Sequence, residues 1–155
     1  MLHYSLLTLH LLSVLIWVGG MFFAWVVLRP VAASQLEPPA RLTLWRSCFH
    51  TFFIWVWHAV VLLPLTGYAI IFTTYGGFAN TPLFVHVMQL TGWLMVILYL
   101  YLWFKPYAAL KRAVDSAQWP SGAIALASIR RIVGFNLLLG LLTTVLALMG
   151  RVFIT

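Results

Sequence analysis

Four long apolar stretches limit what this chain can become. A helix needs roughly 20 mostly apolar residues to cross a bilayer. The stretches at residues 4–28, 46–73, 83–104 and 132–153 all meet that length. Of 155 residues, 64% are hydrophobic and 7% are charged, whereas a soluble domain carries about a quarter charged residues. The expected fold is all-α, an integral membrane four-helix bundle. It forms a single transmembrane domain over residues 1–155, with no soluble catalytic domain beside it. No Lys or Arg precedes Arg29, and the first apolar run is long enough to span. That run therefore reads as a helix and not as a cleaved signal.

Nine Lys and Arg against two acids give a net charge of +7. In a soluble protein this excess would suggest nucleic acid; here membrane topology explains it and no nucleic-acid partner is expected. Arg29, Arg41 and Arg46 flank the first connection, and Lys105, Lys111, Arg112, Arg130 and Arg131 flank the third. The second connection, "TTYGGFANTP", is uncharged, and only Arg151 marks the C-terminal end. The positive-inside rule then places connections one and three in the cytoplasm and both termini outside. Anionic lipid gives the basic excess a partner in the bilayer itself. "PVAASQLEPPARL" reads as a short proline-rich loop, and Pro64 predicts a kink in the second helix. The amphipathic "YAALKRAVDSAQWP", with Lys111 and Asp115 four apart, predicts a cytoplasmic helical extension between helices 3 and 4.

Turning each helix by about 100° per residue assigns faces. In the first helix His3, His10 and Trp17 share a stripe with Gly20, Met21 and Ala24, and Gly20-xxx-Ala24 permits close helix contact. In the third, His86, Gln89 and Trp93 share a stripe. In the fourth, Asn136, Gly140, Thr143, Ala147 and Gly150 form a small, weakly polar face with room for a ligand. His10 and His86 each follow the outer end of their helix by a few residues, so they are expected to face inward at a common depth. His58 and Met21 fall deeper, near the midplane.

An ionisable residue inside a membrane is a functional-site hypothesis by default. For any single histidine a hydrogen-bonded core role is equally available, and for His3 and His50, near the interfaces, that reading is preferred. Two inward histidines at one depth can bind a metal ion or a haem iron. Met88 and Met95 lie on the side of the third helix opposite His86 and, with Met149, read as packing or lipid-facing. Met21 remains the soft ligand on an inner face. Trp17 and Trp93 are placed to wall a site. The only acids, Glu37 and Asp115, lie outside the membrane, which argues against a carboxylate proton relay.

At these residues the chain resembles a known family. "LHLLSVLIWVGGMFFAWVVLRP", "GGFANTPLFVHVMQLTG" and "SIRRIVGFNLLLGLLTTVLALMGR" are similar to segments of the copper-resistance D (CopD) family. The resemblance implies copper handling at a bacterial-type inner membrane, by uptake or delivery, with His10 and His86 as ligands. It also implies a periplasmic copper carrier or redox partner, and a homodimer to supply the helices that longer members carry. A fainter similarity is to the HemJ-type protoporphyrinogen oxidases. It rests on the histidine before the first tryptophan, the arginine ending helix 1, and Arg131 with Asn136. That similarity leaves haem b open as a cofactor, and His10 and His86, as two histidines on opposing helices, are the candidate axial ligands. In place of that group's acid and proline, this chain has Leu137, Leu138 and Leu139 after Asn136.

Two functions follow. In the first, copper ions pass His10 and His86, then His58 with Met21, and leave past Cys48 or His50. In the second, a b-type haem protein performs electron transfer or porphyrin oxidation, with the macrocycle against Gly140, Thr143 and Ala147. A helical assembly partner with satisfied core histidines stands behind both.

Overall fold

The computed structural model describes the backbone of residues 1–152 and the side chains through Gly150. The expected end of the fourth span at residue 153, and the Arg151 side chain, lie outside the described residues. The fold is all-helical, with no strand among the described residues. Its four long helices are α1 (Leu2–Gln35), α2 (Pro38–Tyr75), α3 (Leu83–Asp115) and α4 (Trp119–Val152). All four are long and apolar enough to cross a membrane.

Each helix has at least 32 residues, about 50 Å at 1.5 Å per residue. That exceeds the roughly 30 Å of a hydrocarbon core. The surplus lies at one end of the bundle, where α1 meets α2 and α3 meets α4. Every described Lys, Arg, Asp and Glu side chain is there, so we call this the basic end. The other holds the N-terminus and the connection over residues 76–82, and is the uncharged end.

The proline-rich loop expected at the basic end is reduced to Leu36 and Glu37. Two local features explain this. A wide π turn over Phe23–Leu28 precedes Pro30 and relieves the clash between the proline ring and the turn before it. Pro38 and Pro39 then open α2, where a missing N–H costs nothing. A second π turn, Trp103–Tyr107, contains Pro106 in α3, and the helix carries on to Asp115. The expected extension between the third and fourth helices is present. Its tip turns on Ala117, in the left-handed region at φ 54°, and Gln118 N–H donates to the Ala113 carbonyl at 2.8 Å. Pro64 is accommodated inside α-helical Pro38–Ile70.

Asp115 does not pair with Lys111 along its own helix. It meets Arg46 of α2 at 2.7 Å, with both side chains partly exposed. Lys111 instead lies over Tyr107, 5.1 Å from the ring centroid. An exposed ion pair contributes about 0–1 kcal/mol, so Asp115→Asn is expected to shift the unfolding free energy by less than about 1 kcal/mol. Denaturation of the purified variant in detergent checks this.

Packing is closest in the basic half. Phe49 and Phe53 of α2 stack at 5.1 Å between centroids. Tyr99 and Tyr107 of α3 meet Phe53 edge-on at 5.6 and 5.0 Å, and the Tyr99 hydroxyl donates to the Phe53 carbonyl at 3.2 Å. Leu42, Leu110 and Ile129 close the core towards the connections. At the uncharged end packing loosens. His10, Gln89 and Thr143 are half-buried, and no neighbouring atom comes within 4 Å of where a Gly92 side chain would begin.

Candidate functional site

The polar groups of the spanning segments gather in the looser half, and His10 is the best fixed of them. The α1 stripe turns towards α2, burying Ser13, Trp17 and Met21. His10 lies one turn nearer the uncharged end, with Nδ1 2.8 Å from the Thr66 hydroxyl of α2. That hydroxyl is also 2.6 Å from the Leu62 carbonyl, to which it donates. Its one proton is thus engaged, and the oxygen accepts from His10 Nδ1–H. In the neutral ring this bond puts the proton on Nδ1 and the lone pair on Nε2, the form a metal-ligating imidazole requires. Gly67 of α2 lies against the ring, and a Cβ there would make an ordinary contact 3.4 Å from His10 Cε1. One heptad earlier His3 repeats the contact, with Nδ1 2.9 Å from the Thr74 hydroxyl.

The α3 stripe is placed differently. His86 is half-buried, and Trp93 is 45% exposed. Trp93 Nε1–H donates to the Tyr68 hydroxyl of α2 at 2.8 Å, so it braces α3 against α2 and does not wall an interior site. Gln89 Nε2 is buried without a hydrogen-bond partner. The α3 face that packs inward is turned about 120° from this stripe. It carries Met95, Val96, Tyr99 and Leu102, all buried. Met95 thus joins Met21 in the core cluster, a second buried thioether that polarity alone did not reveal.

His58 faces outward. It is exposed, and its Nδ1–H donates to the Ile54 carbonyl of its own helix at 2.8 Å. The shared deep site expected for His58 and Met21 is therefore not formed, since Met21 is buried on the inner side of α1. His50 is exposed as well, and Cys48 is half-buried.

The Asn136–Gly140–Thr143–Ala147 face of α4 does point inward, but it is filled. Asn136 Nδ2–H donates to the Met95 carbonyl at 3.2 Å. The Thr143 and Thr91 hydroxyls are 2.8 Å apart. Val18 occupies the space beside Gly140, 2.8 Å from where a Cβ would stand. Phe84 fills the space beside Gly150 in the same way. No seat for a flat macrocycle runs along this face, so these residues do not fit haem. A small internal space of about 10 Å³, roughly one water-sized sphere, lies between Trp17, Met21, Tyr99 and Asn136. Asn136 Oδ1 is buried there without a partner.

No group of three or more His, Cys, Asp or Glu assembles among the described residues. The donors stand singly at different depths. From His10 to Met21 is eleven residues, about 16 Å along the helix, too far for one coordination sphere.

Residues 46–149, more than half of the chain, match the family model described as Copper resistance protein D. The matched segment includes His58, His86, Met95 and Asn136, while α1 with His10 and Met21 precedes it. No curated protein and no solved structure matches the chain. On the strength of the family model, this protein belongs to the copper resistance protein D family.

Proposed function

We propose that the chain takes up Cu(I) at the uncharged face of the membrane and passes it inward. His10 is the first ligand, and the thioethers of Met21 and Met95 serve below it. The observation that carries this reading is the His10–Thr66 contact, which fixes the imidazole through Nδ1 and turns Nε2 away from that bond. Cu(I) accepts imidazole nitrogen and thioether sulfur alike. His86, beside the unpartnered Gln89 amide, supplies a second donor at the same end. The charge asymmetry supports a bacterial-type inner membrane, with the basic end in the cytoplasm and the uncharged end in the periplasm. A periplasmic carrier would then deliver the ion, and two copies of the chain would complete a conduit.

The test is an anaerobic Cu(I) titration of the full-length protein in lipid nanodiscs, against a colorimetric Cu(I) chelator. At least one Cu(I) per chain is expected. The double variant Met21→Leu, Met95→Leu, which keeps volume and removes both sulfurs, is expected to bind less. If the wild-type protein fails to compete with the chelator for any Cu(I), the reading is wrong.

A further inference from the structure

We infer that the cleft between α1 and α4 at the basic end is a binding site for the phosphate group of an anionic phospholipid. Arg29 of α1 and Arg130 of α4 line it, with Trp25 and Trp45. Arg41 of α2 stands close enough for its charge to act on Arg130, as does that of Arg29. Two guanidinium groups thus line the cleft from two helices, with the charge of Arg41 nearby. Among the described residues the one ion pair within 4.0 Å is Arg46–Asp115, so no carboxylate neutralises the three.

The cleft is built to hold its cations in place. Gly134 of α4 has no side chain, and Trp25 fills that space, its ring 2.8 Å from where a Cβ would be. Arg29 lies flat on the same indole, with Cζ 4.5 Å from the ring centroid. A stacked guanidinium keeps its edge free for a bidentate acceptor. Two donors remain unmatched. Arg130 Nε is buried without a partner, and so is the indole Nε1 of Trp45, a residue only 2% exposed. Leaving a buried donor unpaired costs about 1–3 kcal/mol.

Depth decides which anion. Arg29 follows the last residue of the first apolar run, and Arg130 stands two residues before the fourth. Both therefore lie where hydrocarbon gives way to headgroups, with Trp25 one turn deeper at the level favoured by interfacial indoles. A phospholipid presents its phosphate at that height with its chains directed along the helices, and the apolar floor at Ile129 and Val133 suits the glycerol and first methylenes. Basic pockets between spanning helices bind anionic headgroups by this arrangement.

The experiment is native mass spectrometry of the full-length protein, titrated in parallel with phosphatidylglycerol, phosphatidylcholine and inorganic phosphate. Wild-type protein is expected to take up phosphatidylglycerol at about tenfold lower concentration than phosphatidylcholine. Arg29→Gln with Arg130→Gln should abolish that preference. Arg112→Gln with Arg131→Gln, an equal charge change at two exposed positions, should leave it. If the double variant cannot be purified, Arg29→Gln alone reads the same preference and is expected to lower it severalfold. Equal loss in both double variants would mean general basicity and would overturn the site. So would an unchanged preference in Arg29→Gln with Arg130→Gln. Displacement of the lipid by millimolar phosphate would assign the cleft to a free anion and overturn the lipid.

Discussion

His10→Ala lowers the Cu(I) affinity of the purified protein by at least about tenfold, while His58→Ala leaves it unchanged. The contrast follows from where each ring sits. Both histidines lie within apolar helices, and both have Nδ1 engaged. His58 satisfies its Nδ1–H on its own helix and faces outward. His10 reaches across to α2, and Thr66 fixes its tautomer. Thr66→Val removes that acceptor without changing side-chain volume, so the ring is freed to rotate and to exchange tautomers. Losing such a support costs roughly 10- to 100-fold in metal affinity, so Thr66→Val should reproduce much of the His10→Ala effect. The measurement is the chelator competition on all three variants. Equal losses in His10→Ala and His58→Ala would remove His10 from the proposed path.

Phe53→Ala should be the most damaging single truncation for stability, at about 3–5 kcal/mol. Phe53 is 2% exposed and meets Phe49, Tyr99, Trp103 and Tyr107. Lipid tails are as apolar as the core, so this cost does not arise from water. It arises from lost packing across helices, which is what holds a membrane bundle together. Phe22, half-exposed on α1, provides the control, and its truncation should be nearly silent. Unfolding of the variants in mixed detergent micelles gives both values. A loss below about 1 kcal/mol for Phe53→Ala would mean that the aromatic cluster does not hold the bundle together.

The apolar runs revealed the four helices because span length depends on hydropathy alone. They understated each helix at the basic end, where the ordinary cues for a loop misled. Pro30, Pro38 and Pro39 look like breakers, yet a wide turn and a helix start absorb them. The inner face of α1 was readable, since Trp17 and Met21 share the stripe of His10 and both are buried, with Ser13 buried beside them. The inner face of α3 was not. His86, Gln89 and Trp93 are its polar stripe, and polarity suggests burial away from lipid. The core instead took the side with Met95 and Tyr99, because apolar packing decides a membrane interface and either side of α3 is apolar enough to offer it. His58 misled for a related reason: its own helix supplies the carbonyl that makes an outward histidine tolerable. The small face of α4 was read correctly as inward. Whether Val18 and Phe84 or a ligand would fill it depends on the neighbouring helices, which one helix cannot show.

The unequal ends of the bundle give it the mechanics of a clamp. At the basic end residues 36–37 and 116–118 join the helices in tight pairs around the close-packed aromatic cluster. The helices run from there to the uncharged end, where single polar contacts, His3–Thr74, His10–Thr66, Trp93–Tyr68 and Thr91–Thr143, take the place of the aromatic cluster. His10 stands 25 residues from Gln35, a lever arm of about 38 Å. Over that length a tilt of about 3° at the clasped end displaces the imidazole by about 2 Å, enough to open or close a coordination sphere. Over the same length, small adjustments among Phe53, Tyr99 and Tyr107 are amplified into larger displacements at the opposite face.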